Sequence, residues 1–152
     1  MTDFSSDIVY LKRDPEFPDA KLPEYGSELA SGMDLFAAAR VLVEPFQPVV
    51  VPTGWLLAWL DPDYELQIRS RSGNTLKRRF MVANQPGTVD ADYRGKIGVI
   101  VLNFNPQAQL VIEKGEKIAQ MVPAPVKRMK PQESDTLHDT RRGSGGFGST
   151  GR

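Results

Sequence analysis

The chain has no cysteine and a single histidine, His138, among its 152 residues. Without thiols it forms no disulfide and no cysteine-based metal site. One imidazole argues against a His-rich metal site or a Ser-His-Asp triad within one chain. Net charge is missing too: 19 Lys+Arg offset 19 Asp+Glu. The molecule as a whole therefore exerts no strong pull on nucleic acid or an acidic membrane, and any anion must be held by a local site. Long apolar runs are also absent. The longest, WLLAWL from Trp55 to Leu60, is far too short to span a bilayer. The opening MTDFSSDIVYLKRDPEF lacks the basic and apolar segments of a signal peptide. The expectation is a soluble cytoplasmic protein with no nucleic-acid or membrane partner. Its chemistry must rest on carboxylates, arginines, hydroxyls, backbone amides or a hard metal.

What is present suits one globular domain: 40% of residues are apolar and 25% charged. Twelve prolines and thirteen glycines are spread along the chain and leave little room for long helices. Between them, DIVYLKR, RVLVEPF, QPVVVPTG, GWLLAWL, YELQIRS and KIGVIVLNF read as strands. VIEKGEKIAQMV reads as a hairpin turning at Lys114-Gly115. The best helix candidate is the short SGNTLKRRF after Arg71. This pattern predicts an all-β fold, a jelly-roll-like sandwich or barrel with one short helix and an extended C-terminal arm. The β body is placed at residues 1–126. The arm is residues 127–152, where KRMKPQESDTLHDT leads into RRGSGGFGSTGR.

Five segments are candidates for chemistry. In ASGMDLFAA, Asp34 sits inside an apolar run behind Gly32, whose residue type permits unusual backbone angles. Taken alone, Asp34 reads best as bonding its own turn. In IRSRSGNT, a strand ending in Arg71-Ser72-Gly73 before a short helix offers a guanidinium, a hydroxyl and free amides. That is a phosphate cradle or, equally, a solvated basic strand end. In ANQPGTVDADYRGKIGVIVLNF, Gly87 and Gly95 bracket a hairpin with Asp90, Asp92, Tyr93 and Arg94 near its tip. Asp90 is either a general base for a water or part of a polar turn. Tyr93 is placed to stack on a planar ligand or a sugar. In GEKIAQMV, Gln120 lies in an apolar strand and needs a backbone or ligand partner. The tail, with Arg142 and Phe147, reads as a disordered end, an RGG-like segment or a mobile phosphate lid.

In order and spacing these five segments resemble the five motifs of the trimeric dUTP pyrophosphatase (dUTPase) family, from Ala30 to Gly151. VDADYRG and RGSGGFGSTG carry most of the likeness, and RSG and GEKIAQ are correctly placed. The resemblance implies a homotrimer whose active sites lie at subunit interfaces and draw on all three chains. It implies Mg²⁺-dependent hydrolysis of dUTP to dUMP and pyrophosphate, which keeps uracil out of DNA and supplies dUMP for thymidylate synthesis. Asp90 matches the aspartate that activates water for in-line attack on the α-phosphate. Tyr93 matches the residue packing on deoxyribose, and Asn84 the one reading uracil. Arg71, Ser72, Gly73 and Gln120 match phosphate contacts. Arg142 matches the γ-phosphate arginine, and Phe147 the ring covering uracil. Gly148 and Ser149, with Ser144, Gly145, Gly146 and Thr150, supply further phosphate contacts. The metal has no direct protein ligand, and Asp34 supports either its water shell or a neighbouring arginine.

Met33, Ser70 and NTLKRR depart from the family pattern; Ser70 stands where a proline commonly precedes Arg-Ser-Gly. The related dCTP deaminases carry a glutamate in an LEF-like context, where this chain has VLNF with Asn103. An RNA-binding sandwich with an RGG tail is disfavoured by the zero net charge and the single, unrepeated Arg-Gly unit.

Overall fold

The computed structural model describes residues 4–146. Strands β1 (Tyr10–Arg13), β5 (Val49–Trp59), β9 (Lys96–Asn103) and β7 (Phe80–Val82) pair antiparallel in the order β1-β5-β9-β7. A second antiparallel sheet runs β2 (Glu24–Tyr25), β3 (Met33–Phe36), β11 (Lys117–Pro125), β6 (Tyr64–Arg69), β8 (Gly87–Val89). A ribbon joins β10 (Leu110–Ile112) to β4 (Val41–Val43). The all-β, jelly-roll-like reading of the sequence holds.

The alternation of side chains explains the two layers. β9 buries Ile97, Val99 and Val101 on one face and leaves Gly98, Ile100 and Leu102 half-buried on the other. β6 buries Leu66 and Ile68 in the same way. These side chains meet Leu35, Val51, Leu57, Phe80, Ile118 and Met121 in one continuous core. Each large aliphatic buried there stabilises the fold by about 1.5–3 kcal/mol. The strand ends that carry the functional segments hang on this core.

Several local expectations are corrected. QPVVVPTG and GWLLAWL form one strand, β5, whose register shifts between Pro52 and Trp55 around Gly54, at φ 77°. The irregularity absorbs the proline and glycine that looked like a break. VIEKGEKIAQMV is not a hairpin. Its first arm, β10, pairs with β4, while β11 pairs with β3 and β6, so the glycine turn carries the chain between sheets. The Gly87–Gly95 segment behaves likewise: β8 pairs with β6, and β9 with β5 and β7. A one-dimensional pattern shows two apolar arms and a turn, but not which neighbour each arm takes. The short helix is a single π-helical turn, Asn74–Arg78, closed by Arg79 in the left-handed region at φ 57°. Buried Asn74 anchors it by donating to the Lys117 carbonyl at 2.9 Å.

Candidate active site

The turn from Asp90 to Gly95 crosses from β8 at the edge of one sheet into β9 of the other. Beneath it opens a cleft of about 210 Å³ whose walls include Ile68, Asn84, Asp90, Tyr93, Lys96 and Ile100. Three residues singled out in the sequence, Asn84, Asp90 and Tyr93, therefore share one cavity.

The turn is built to hold the tyrosine. Tyr93 N–H donates to the Asp90 carbonyl at 3.0 Å, and its hydroxyl donates to the Lys96 carbonyl at 3.0 Å. Its ring lies over Gly95, where a Cβ would fall 2.3 Å from the phenolic oxygen and 2.5 Å from Cζ. Only glycine leaves room for the ring there. Arg94 donates to the carbonyls of Ala91 and Tyr93, each at 2.8 Å, and so braces the same turn. On the opposite wall the Asn84 amide packs against Gly87, with Nδ2 3.1 Å from where a Cβ would stand.

A second group forms on the five-stranded sheet. Asp34 on β3 lies opposite Gln120 on β11, and Gln120 faces Arg69 on β6 from its other side. Asp34 is 3% exposed, so its charge needs compensation. Lys117 Nζ stands 2.7 Å from Oδ2, and Arg71 Nε 3.0 Å from Oδ1, the latter without hydrogen-bond alignment. Asp34 is thus an ion-pair partner rather than the cap of its own turn. Gly32 beside it is required by close approach: a Cβ there would sit 2.9 Å from Val122 Cγ2. Gln120 is half-buried, and its side chain makes no hydrogen bond to another described residue. Ser72 and Gly73 are exposed at the start of the helical turn. Gly73 has φ −63°, and a Cβ there would meet nothing within 4 Å, so packing in this chain does not demand glycine.

Asp34 itself stands away from the cleft. β3 and β8 are three strand positions apart in the order β3-β11-β6-β8. That is roughly 14 Å at about 4.8 Å per strand. Arg142 is exposed and its Nε donates to the Gly145 carbonyl at 2.8 Å, within its own turn. Phe147, Gly148 and Ser149 lie outside the described residues, as does Thr150. Among the described residues no three His, Asp or Glu side chains cluster as metal ligands. No described helix is long and apolar enough to cross a membrane.

Sequence reasoning missed two lysines. Lys117 completes the Asp34 pair, but nothing in a single sequence marks it. Lys96 lines the cleft and reaches back to the N-terminal segment, 2.8 Å from Asp14 and 2.6 Å from Glu16. Lys96 and the Glu16 backbone N–H hold the Asp14 carboxyl below the usual range, and the two carboxylates push the Lys96 ammonium up. Asn103 is wholly buried and structural. It donates to the carbonyls of Val43 and Ala108 at 3.1 and 2.9 Å and accepts from Asn105 N–H at 2.9 Å.

Fold and clefts together describe an all-β protein with a small cleft and cations set around a buried carboxylate. The family model for dUTPase matches residues 18–151, nearly the whole chain. The chain belongs to the dUTPase family. It is 46% identical over 147 residues to a deoxyuridine 5'-triphosphate nucleotidohydrolase of Methylocella silvestris, covering 94% of this chain and 91% of that protein. A protein of the same name from Hydrogenobaculum sp. is 50% identical over 134 residues, covering 88% and 92%. Among solved structures, a mutant dUTPase of Staphylococcus bacteriophage 80alpha with dUpNHpp superposes at a TM-score of 0.84 with 24% identity, covering 96% of this chain and 99% of that one. A phage phi11 dUTPase mutant, solved for the coordination of a structural Mg(II) ion, superposes at 0.74 with 21% identity, covering 86% and 99%. Both establish the shared fold.

Proposed function

We propose that this protein hydrolyses dUTP to dUMP and pyrophosphate, and that the Asn84, Asp90 and Tyr93 cleft holds the deoxyuridine. The observation that carries the reading is the convergence of those three side chains on one cavity, in a chain whose relatives at 46% and 50% identity are deoxyuridine 5'-triphosphate nucleotidohydrolases. Asn84 hydrogen-bonds the uracil edge. The Tyr93 ring packs on the deoxyribose and leaves no space for a 2′-hydroxyl. Asp90, exposed at the mouth of the cleft, takes a proton from a water as its oxygen attacks the α-phosphorus. The α–β bridging P–O bond then breaks and pyrophosphate leaves. This chemistry needs positioning and charge neutralisation rather than a covalent nucleophile.

The cleft, about 210 Å³, is smaller than the roughly 300 Å³ at which small-molecule pockets begin. It suits the nucleoside, and the phosphates must be bound elsewhere. Arg71, Ser72, Gly73 and Gln120 supply that surface, with Asp34 holding the Arg71 guanidinium. The family resemblance favours a homotrimer in which neighbouring subunits complete each site. The outward face of the four-stranded sheet suits such packing. Val50 is 60% exposed there, beside half-buried Pro52, Met81, Ile100 and Leu102. An apolar sheet face of this kind is usually covered. Residues 127–152 form the arm, which delivers Arg142, Phe147, Gly148 and Ser149 to the phosphates and uracil of a site. Mg²⁺ would be carried on the substrate phosphates, with Asp34 already matched by two cations. Bound there, it would supply charge neutralisation for the phosphates. The protein works in the cytoplasm.

The test is a pyrophosphate-release assay with Mg²⁺ and dUTP, dTTP, dCTP and UTP. Turnover of dUTP well above the other three is expected; equal turnover of all four would reject the assignment of the cleft. Asp90→Asn should keep nucleotide affinity and lose about 100-fold or more in turnover. Near-normal turnover would remove Asp90 from its role.

A further inference from the structure

Ser70 lies between the proposed phosphate segment and the proposed base pocket and touches both. It follows Arg69, the last residue of β6, and precedes Arg71. Its hydroxyl accepts a hydrogen bond from Val82 N–H at 2.8 Å. Its own N–H donates to Gln85 Oε1 at 3.1 Å. Val82 and Gln85 are the two ends of the turn that carries Asn84, closed by Gln85 N–H donating to the Val82 carbonyl at 3.4 Å. The Gln85 amide is steadied from its other side by the Met81 sulfur at 4.0 Å. Ser70 thus grips both ends of the Asn84 turn, and the next residue, Arg71, is tied to buried Asp34.

We propose that Ser70 and Gln85 form a clip that sets the orientation of Asn84 and so tunes selection of the base. They act as positioning residues that touch no substrate. The chemistry is specific to these side chains. A proline at 70 has neither N–H nor hydroxyl and makes neither bond. A leucine at 85 has no acceptor for Ser70 N–H. Val82 N–H lies on the edge of β7 that faces away from β9, so the Ser70 hydroxyl satisfies a donor the sheet leaves free. Loss of one such bond loosens the turn rather than the core, because Asn84 and Gln85 are exposed.

The inference rests on the dUTPase reading, and the experiment separates the two. kcat/KM for dUTP, dCTP and UTP is measured for the wild type, Ser70→Ala, Gln85→Leu and Gln85→Glu, with thermal unfolding of each. Ser70→Ala and Gln85→Leu should each narrow the dUTP-to-dCTP preference by about threefold to tenfold, the worth of one hydrogen bond. Gln85→Glu retains the acceptor and should hold the wild-type preference. The dUTP-to-UTP preference should stay unchanged in all three, since Tyr93 is untouched. A wild type that does not hydrolyse dUTP overturns the underlying reading. A wild type that does, with a dUTP-to-dCTP preference unmoved by both Ser70→Ala and Gln85→Leu, overturns the clip. An equal fall in the rate on all substrates, following loss of unfolding temperature, also overturns it, because that marks a merely structural role.

Discussion

Arg71 Nε lies 3.0 Å from Oδ1 of Asp34, a carboxylate that is 3% exposed. Lys117 takes the other oxygen at 2.7 Å. A buried carboxylate between two cations is held by mutual need: removing it leaves a guanidinium and an ammonium with no counter-charge between them. A fully buried pair broken this way costs about 3–5 kcal/mol. Both cations are about a third exposed here, with side-chain exposures of 30% and 38%, so solvent reduces the cost.

Asp34→Asn should therefore destabilise the fold by about 1–3 kcal/mol and release the Arg71 guanidinium. Urea unfolding measures the first effect and a rise in KM for dUTP the second. An unchanged KM would mean that Asp34 serves only stability.

Gly73 separates folding from function. Its φ is −63°, ordinary for any residue, and a Cβ would meet nothing within 4 Å in this chain. Gly73→Ala should leave stability unchanged or raise it by about 0.4–1 kcal/mol by restricting the unfolded chain. If phosphates approach the backbone at this point, the same substitution lowers kcat/KM for dUTP. Thermal unfolding and kinetics on one sample decide it, and full activity would show that nothing approaches Gly73 closely.

Gly95 makes a sharper demand. An added Cβ would fall 2.3 Å from the Tyr93 oxygen, so Gly95→Ala must displace the ring and weaken its bond to the Lys96 carbonyl. The dUTP-to-UTP preference should fall by about tenfold or more, since a pocket wall has moved. A preference equal to wild type would detach Tyr93 from sugar selection.

Asp14 gives a pH prediction. Lys96 and Glu16 N–H lower its pKa from an ordinary 3.8. A carboxyl depressed on folding contributes stability above its unfolded value, and that contribution is lost as pH falls through the lower folded value. Lys96 is shifted upward from 10.5. Its contribution is complete below that value and is lost as pH rises through the higher folded one. The pair is therefore intact across neutral pH. The gap in unfolding temperature between wild type and Asp14→Asn should be flat from about pH 5 to 9 and close in acid. A gap that persists unchanged well below pH 3 would mean that the charge of Asp14 is not what stabilises the N-terminal segment.

Much of the molecule is written in local pattern. Period-two alternation, as in KIGVIVLN, specifies strands and their buried faces. The scatter of proline and glycine excludes long helices. The five short segments, in their order, point to the chemistry; Asn84 lies on the turn before β8 and Asp90 and Tyr93 on the turn after it, and the three share one cleft. Partner choice is not local. The glycine turns at 87–95 and 114–115 look alike in sequence to hairpin turns, yet both carry the chain across to another sheet. Which strand each arm joins depends on the whole core closing. The same holds for Asp34: its neighbours Arg71 and Lys117 are far away in sequence and meet it only because β3, β6 and β11 lie side by side. Ser70 is the clearest case. As a letter it is only a missing proline; its two bonds to the Asn84 turn exist because the end of β6 comes to rest beside β7, and that contact is decided by tertiary packing alone.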